Sequence, residues 1–339
     1  MKVTIYEVAK EADVSIATVS KVINNTGRIS EATRIKVLEA MKALNYYPSV
    51  VASALTGKRT DTLGLLIPDI SNPFFSEIAR NIEDKAHERG ISVIMCSTDH
   101  DEEKEKKYIE LLKRKQVDGF IVASGIKNKG IMKELTEANV PLAMLAQEEP
   151  AYDVTVVSVD NYKGGYEATS HLFLNGHRNV GIIAEQMHSN NMRLYAYRDV
   201  HEAFGVLINE DNIVKTTATI ENGRECTKQL LDKDDPPTAI FACNDLLAIG
   251  VIQAAREKGL NIPDDLSVIG FDNTILATTT VPALTTMAQP IEDMGKKIID
   301  VIINKIEGDN ERQESIFFNP TLMIRGTTAP LVTASNKVK

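Results

Sequence analysis

From Thr62 to about residue 330, short apolar runs alternate with stretches of helical period, and this alternation constrains the fold more than any other feature of the 339-residue chain. The runs lie at 63–67, 93–96, 120–123, 142–145, 180–183, 240–242 and 268–271. Between them Ile78, Ile82 and Ala86, and then Ile109 with Leu112, recur at the spacing of one helix face. Strand–helix alternation on this scale predicts a parallel α/β fold. Asn72-Pro73 reads as a helix start, with Asn as cap and Pro in the first turn, and Gly90 reads as its stop. The series runs once to near Asp160 and again after it, without sequence identity between the two halves. Two open subdomains of about equal size are expected, with a ligand cleft between them.

The first 59 residues follow another pattern. They hold nine of the 38 Lys and Arg but five of the 47 Asp and Glu, so this segment carries +4 and the remainder −13. A basic head on an acidic body fits a head that meets a polyanion. Thr4-Ile5-Tyr6-Glu7 has the form of a capping box, and Ile5, Val8, Ala9 and Ala12 share one face of the helix it starts. Asp13-Val14 breaks that helix, and Ser15 opens a second with Val19, Val22 and Ile23 inward. Ser30-Glu31 starts a third, with Val37, Leu38, Met41 and Leu44 as its apolar stripe. Two short helices joined by a tight turn and followed by a third make a helix-turn-helix head. A three-helix module that binds protein is the alternative. Against it, the outward residues of the second helix (Ser15, Ile16, Ala17, Thr18, Ser20, Lys21) are small or polar with one cation. They suit entry into a major groove and lack the large anchors of a protein interface.

Several classes drop out. The longest apolar runs are a handful of residues, so no membrane span is expected, and Met1-Lys2-Val3 leads straight into polar, patterned sequence rather than a secretory leader. Three cysteines (Cys96, Cys226, Cys243) fit a reducing compartment, and a cytoplasmic location is expected. No glycine-rich phosphate loop is present, Ser124-Gly125-Ile126-Lys127 matches S-x-x-K without a companion motif, and the six histidines are scattered. Neither an enzyme nor a cofactor or metal site is expected.

Thr4-Ile5-Tyr6-Glu7-Val8-Ala9, the run from Val14 to Asn24, the run from Thr33 to Leu38 and Leu44-Asn45-Tyr46-Tyr47-Pro48 together resemble the DNA-binding head of LacI/GalR-type bacterial transcription regulators. Within that family the likeness is to the catabolite-control and degradation-activator types. The resemblance covers nearly the whole chain. It implies an α/β fold class with an N-terminal helix-turn-helix head and a two-subdomain, periplasmic-binding-protein-like body of parallel sheets. The implied segments are a head at 1–46, a hinge helix at 47–60, a body at 61–330 and a tail at 331–339. The first subdomain would comprise 61–160 with 291–319, and the second 161–289 with 320–330, the chain crossing near Asp160, Gln289-Pro290 and Asn319-Pro320.

By the same resemblance Ile16, Ala17 and Lys21 read base edges, Lys21 by donating to guanine and the other two by apolar contact. Thr4, Ser15, Thr18, Asn24 and Ser30 stand at phosphate-contact positions. Leu55 is the wedge that enters a minor-groove step and bends the operator. Ser49 and Ser53 replace longer donors common in the family.

In the body, the loops at strand C-termini carry an Asp/Asn set with aromatic neighbours: 68–75, Asp160-Asn161, Asn244-Asp245 and 271–273. Such residues suit polyols, sugars or purines, yet Asp and Asn at these junctions are as often helix caps. The resemblance implies that Asp69, Phe74, Phe75, Arg193, Asn244 and Asp272 bind an effector. Ala196 stands where the family has Gly, and Ala146-Gln147 where sugar-responsive members have Asp, which counts against a simple sugar.

The expected partners are double-stranded operator DNA, a second copy of the chain in a homodimer, and a small-molecule effector (sugar, sugar phosphate or related metabolite) or a protein corepressor. The expected function is sequence-specific regulation at a pseudo-palindromic operator. Repression is favoured because family members mostly occlude promoters; activation, or control by a phosphorylated carrier protein, is the alternative.

Overall fold

The computed structural model describes residues 3–23, 26–46, 59–146, 152–308 and 315–331. The chain divides into two compact units, Met1–Thr60 and Asp61–Lys339.

The first unit holds helices α1 (Ile5–Glu11), α2 (Ile16–Ile23) and α3 (Glu31–Ala43). The Glu7 carboxylate accepts from Thr4 N at 2.6 Å and from the Thr4 hydroxyl at 3.1 Å, which fixes the start of α1. Ser15 Oγ accepts from Thr18 N at 3.1 Å and Ser30 Oγ from Thr33 N at 3.2 Å, so each following helix has its own cap. Val8, Ala9, Ala12, Val19, Val22, Val37 and Ala40 form the buried core of the unit. One expectation needs correction: Leu38 is 50% exposed and Ala40 takes its place in the core. Val37, Ala40, Met41 and Leu44 follow the i, i+3, i+4, i+7 spacing of one face, and Leu38 lies about 100° off that line.

The second unit contains two six-stranded sheets. The first sheet takes β1 (Thr62–Ile67), β2 (Ser92–Ser97), β3 (Gly119–Ala123), β4 (Leu142–Leu145) and β5 (Val156–Val159). The second takes β6 (Val180–Glu185), β7 (Ile213–Thr216), β8 (Ala239–Ala242), β9 (Ser267–Asp272) and β10 (Thr285–Ala288). Two short strands, β11 (Ile316–Phe318) and β12 (Thr321–Met323), complete them. The orders are β11-β5-β4-β3-β1-β2 and β12-β10-β9-β8-β6-β7, parallel throughout except that β12 runs antiparallel to β10. In register, Leu63 pairs with Val93 on one side and Gly119 on the other.

The chain passes between the sheets three times, after β5, after β10 and between β11 and β12. The helices that follow the first two passages are α7 (Asn161–Leu174) and α12 (Ile291–Glu307). On the first sheet, α4 (Pro73–Glu88) packs Ile78, Ala79 and Ile82 into a core shared with Ile298 and Ile302 of α12. On the other face of that sheet, Ile109 and Leu112 of α5 (Glu102–Arg114) join Phe120 and Met132. All five α4 and α5 side chains are therefore core.

Candidate DNA-binding face and ligand cleft

In the head, Ser15, Ile16, Ala17 and Lys21 of the α2 segment are exposed and Thr18 is half-buried, while Val19 and Val22 face the core. Thr4 and Ser30 are exposed as well. The hydroxyls of Ser15 and Ser30 serve helix caps and also meet the hydroxyls of Thr18 and Thr33, at 2.9 and 2.8 Å. The structure thus shows these two expected phosphate-contact residues as helix caps. The Lys21 side chain passes over Gly27, where the φ of 73° suits a residue without a Cβ. Asn24, Leu55 and the rest of residues 47–58 of the segment expected as a hinge (47–60) lie outside the described residues.

In the body, all six candidate ligand residues line one cavity of about 360 Å³ between the two sheets. Each arrives there for a local reason. Asn72 Oδ1 accepts from Phe74 N at 3.1 Å and starts α4, so Phe74 and Phe75 sit in its first turn with their rings edge-to-face, centroids 5.1 Å apart. Asp69 closes the loop before it, accepting from Ser71 N at 2.8 Å and from the Ser71 hydroxyl.

Arg193 is carried by α8 (His188–Ala203), which lies against α7 so closely that a Cβ on Gly165 would come within 2.7 Å of Arg193 Cα and 3.2 Å of Ala196 Cβ. Small residues at 165 and 196 bring that backbone close enough for the guanidinium to reach the cleft. There it donates from Nε and Nη2 to Asn161 Oδ1 at 3.0 and 2.7 Å, donates from Nη1 to the Cys243 carbonyl, and lies 3.5 Å over the centre of the Phe271 ring. Burial weakens its hold on the proton, opposed by Asp272, the Cys243 thiol and Glu185. Arginine keeps its charge in such a setting.

Asn244 is a helix cap that also lines the cavity. Its Oδ1 accepts from Leu247 N at 2.9 Å, capping α10 (Asp245–Glu257), while its Nδ2 donates to Glu185 Oε2 at 3.1 Å. Asp272 ends β9 with φ at 112° and accepts from Gln289 Nε2 at 2.7 Å. Burial and the neighbouring Asp245 push the Asp272 carboxyl well above the usual carboxylate range. Asp245, which accepts from Thr274 and Thr286, is itself pushed up to about 6 by burial. Burial raises Glu185 too, against the pull of Arg193 and Asn244.

The cavity also holds residues that the apolar pattern passes over, chief among them Glu185, Asn190 and Gln289. The run at 180–183 stops two residues short of the strand end, where Glu185 stands. Reading polar residues one or two places past each run finds it. Gln289 presents a buried Oε1 with no hydrogen-bond partner among the described residues. Ala146 lines the cavity, and Gln147 beside it lies outside the described residues. Among the described residues no group of three or more His, Cys, Asp or Glu side chains is placed to hold a metal, and no helix is long and apolar enough to cross a membrane.

Residues 4–49 match the family model described as bacterial regulatory proteins, lacI family, and residues 169–328 match a periplasmic binding protein-like domain. The chain is 47% identical to the HTH-type transcriptional regulator DegA of Bacillus subtilis (strain 168), over 98% of this chain and 100% of that protein. It is 39% identical to catabolite control protein A of Priestia megaterium, over 87% of this chain and 90% of that one. The lac repressor dimer, solved with operator and an anti-inducer, superposes with a TM-score of 0.86 at 28% identity, covering 97% of this chain and 100% of that chain. A helix-turn-helix head and a two-sheet body with a polar cleft, joined to these matches along almost the full length, place the chain in the lacI family of bacterial regulatory proteins.

Proposed function

We propose that this regulator of transcription binds a pseudo-palindromic operator as a homodimer, with α2 of each subunit in the major groove. A small effector in the cleft between the sheets would set its affinity. The observation that carries the reading is the exposed face of α2: Ser15, Ile16, Ala17 and Lys21 outward over an apolar core, at the end of the chain with the basic charge. Lys21 would donate to guanine, Ile16 and Ala17 would meet base edges, and Thr4, Ser15, Thr18, Asn24 and Ser30 would hold phosphates. Leu55, from the hinge, would be the minor-groove wedge.

Asp69, Phe74, Phe75, Arg193, Asn244 and Asp272 would hold the effector. A volume of about 360 Å³ falls in the usual range for a small-molecule site. Among the described residues, the carboxyls of Asp69, Asp99, Glu185 and Asp272 and the unpartnered Gln289 Oε1 line it against a single guanidinium, so the part of the effector inside is a neutral group with donors to offer, such as a polyol or a nitrogen heterocycle. With Ile78, Ala79 and Ile82 committed to the core, subunit pairing would draw on exposed apolar residues instead. Ile70, Met95, Ile275 and Val281 are all more than 40% exposed, and Glu77 of α4 accepts from Ile275 N at 3.0 Å, which holds the Ile275 segment against α4.

The test is selection of bound duplexes from random DNA by the purified full chain at near-physiological salt. A two-fold symmetric site supports the reading, and loss of all binding without salt-dependent affinity for any duplex overturns it. The likeness to catabolite control protein A favours a second reading, in which a phosphorylated carrier protein is the co-regulator. Enrichment of a site only when cell extract is added, with the activity retained by an ultrafiltration membrane, would select that reading.

A further inference from the structure

The inner cavity does not end at its ring of ligand residues. At His100, Ser124, Glu185, Met187 and Thr217 it opens into an outer chamber of about 810 Å³. The two chambers differ in chemistry. In the inner one the cation, Arg193, is buried and bonded to Asn161 and the Cys243 carbonyl, and Asp272 and Glu185 flank it. An anion brought there would meet two carboxyls and a guanidinium already engaged. The buried Gln289 Oε1 calls for a donor from the ligand.

The outer chamber is lined by Lys127 and Lys129, both exposed and neither in an ion pair among the described residues. Two helices begin at its wall, α6 (Lys129–Glu137) and α8, the latter at Met187 without a side-chain cap. Their positive ends add to the field of the lysines. The wall is held in place. Glu105 of α5 is 1% exposed, and its carboxylate accepts from Lys127 N at 3.1 Å and Asn128 N at 3.0 Å. That bond pins a loop in which Ser124 and Gly125 have φ of 59° and 77°. The chamber's two acids are otherwise engaged: Glu185 receives Asn244, and Glu102 lies in the first turn of α5, where the helix dipole favours it.

We propose that the outer chamber is a second subsite that takes an anionic group, phosphate or carboxylate, at the far end of an effector whose neutral, donor-rich portion occupies the inner cavity. The proposal rests on the effector reading above. It describes a ligand longer than one ring and charged at one end only.

Inorganic phosphate and acetate, titrated separately into the purified full chain at constant ionic strength by calorimetry, test it. Saturable binding of at least one anion is expected. It should weaken about tenfold in Lys127→Ala/Lys129→Ala and stay unchanged in Lys106→Ala/Lys107→Ala, a pair exposed on α5 outside the chamber. Tighter phosphate assigns the end group as a phosphate, tighter acetate as a carboxylate. No saturable binding of either anion, or equal loss in both double variants, overturns the subsite. The titration contains no DNA, so it fails or succeeds separately from operator selection.

Discussion

At Asp272 the cleft keeps a carboxyl where ionisation is costly. It is 6% exposed, with Asp245 close enough to raise it further, and the structure offsets this with the Gln289 amide and the Arg193 charge. In the unfolded chain the same group ionises near 3.9. Above that pH the unfolded state releases a proton that the native state retains, so native stability from this group falls as pH rises. Asp272→Asn keeps the acceptor for Gln289 and removes the titration. The urea midpoint of the variant should therefore gain on wild type between pH 4.5 and pH 7.5. A midpoint difference independent of pH would show that Asp272 ionises in the cleft as readily as in water. The identity of this residue is legible in the sequence, because it follows an apolar strand run. Its protonation is not, since Asp245, Gln289 and Arg193 reach it from other elements.

Helices α2, α7 and α8 show how far sequence pattern goes at the scale of an element. The inward face of α2 and its cap at Ser15 follow from spacing and residue type alone, and so does the exposure of Lys21. Lys21→Ala should relax preference at one operator position by about 1–3 kcal/mol where Lys21 reads a guanine. Competition binding with operators varied base by base measures this, and a uniform loss across sequences would assign Lys21 to phosphate instead. The approach of α7 to α8 is harder to foresee, because a glycine inside a helix says that something comes close without saying what. In Gly165→Ala the new Cβ would lie 2.7 Å from Arg193 Cα, a backbone atom that cannot step aside alone. The expected cost is about 1–3 kcal/mol in urea unfolding, with weaker effector binding from a displaced Arg193. An unchanged urea midpoint would mean the two helices separate freely. The strands divide in the same way. Seven strands stand out as apolar runs, six of them buried and β2 mostly part-exposed, whereas β5 and β10 are buried but interrupted by Ser or Thr, β7 has a mostly part-exposed edge, and β11 and β12 have three residues each. Tertiary pairing, not local preference, makes those last strands.

Over the whole molecule, charge separates two tasks. The net +4 of residues 1–59 supplies attraction to a duplex, while the −13 of the remainder opposes nonspecific contact by the body. Control then requires that effector and operator prefer the same state or opposite ones, and linkage makes that relation reciprocal. Whatever factor a bound effector applies to operator affinity, bound operator must apply to effector affinity. Once an effector is in hand, the two ratios should agree within error when each is measured at saturation of the other ligand, and unequal ratios would mean the ligand acts outside this two-site cycle. Leu55, in the segment between cleft and head, tests the route. Leu55→Ala should weaken specific operator binding and reduce DNA bending while leaving effector affinity of the free protein unchanged, because the cleft residues come wholly from the body. The coupling factor should shrink with it, since a hinge that gains less from the operator has less to transmit. Unchanged bending and operator affinity in that variant would remove Leu55 from the mechanism and leave the α2 contacts to carry recognition.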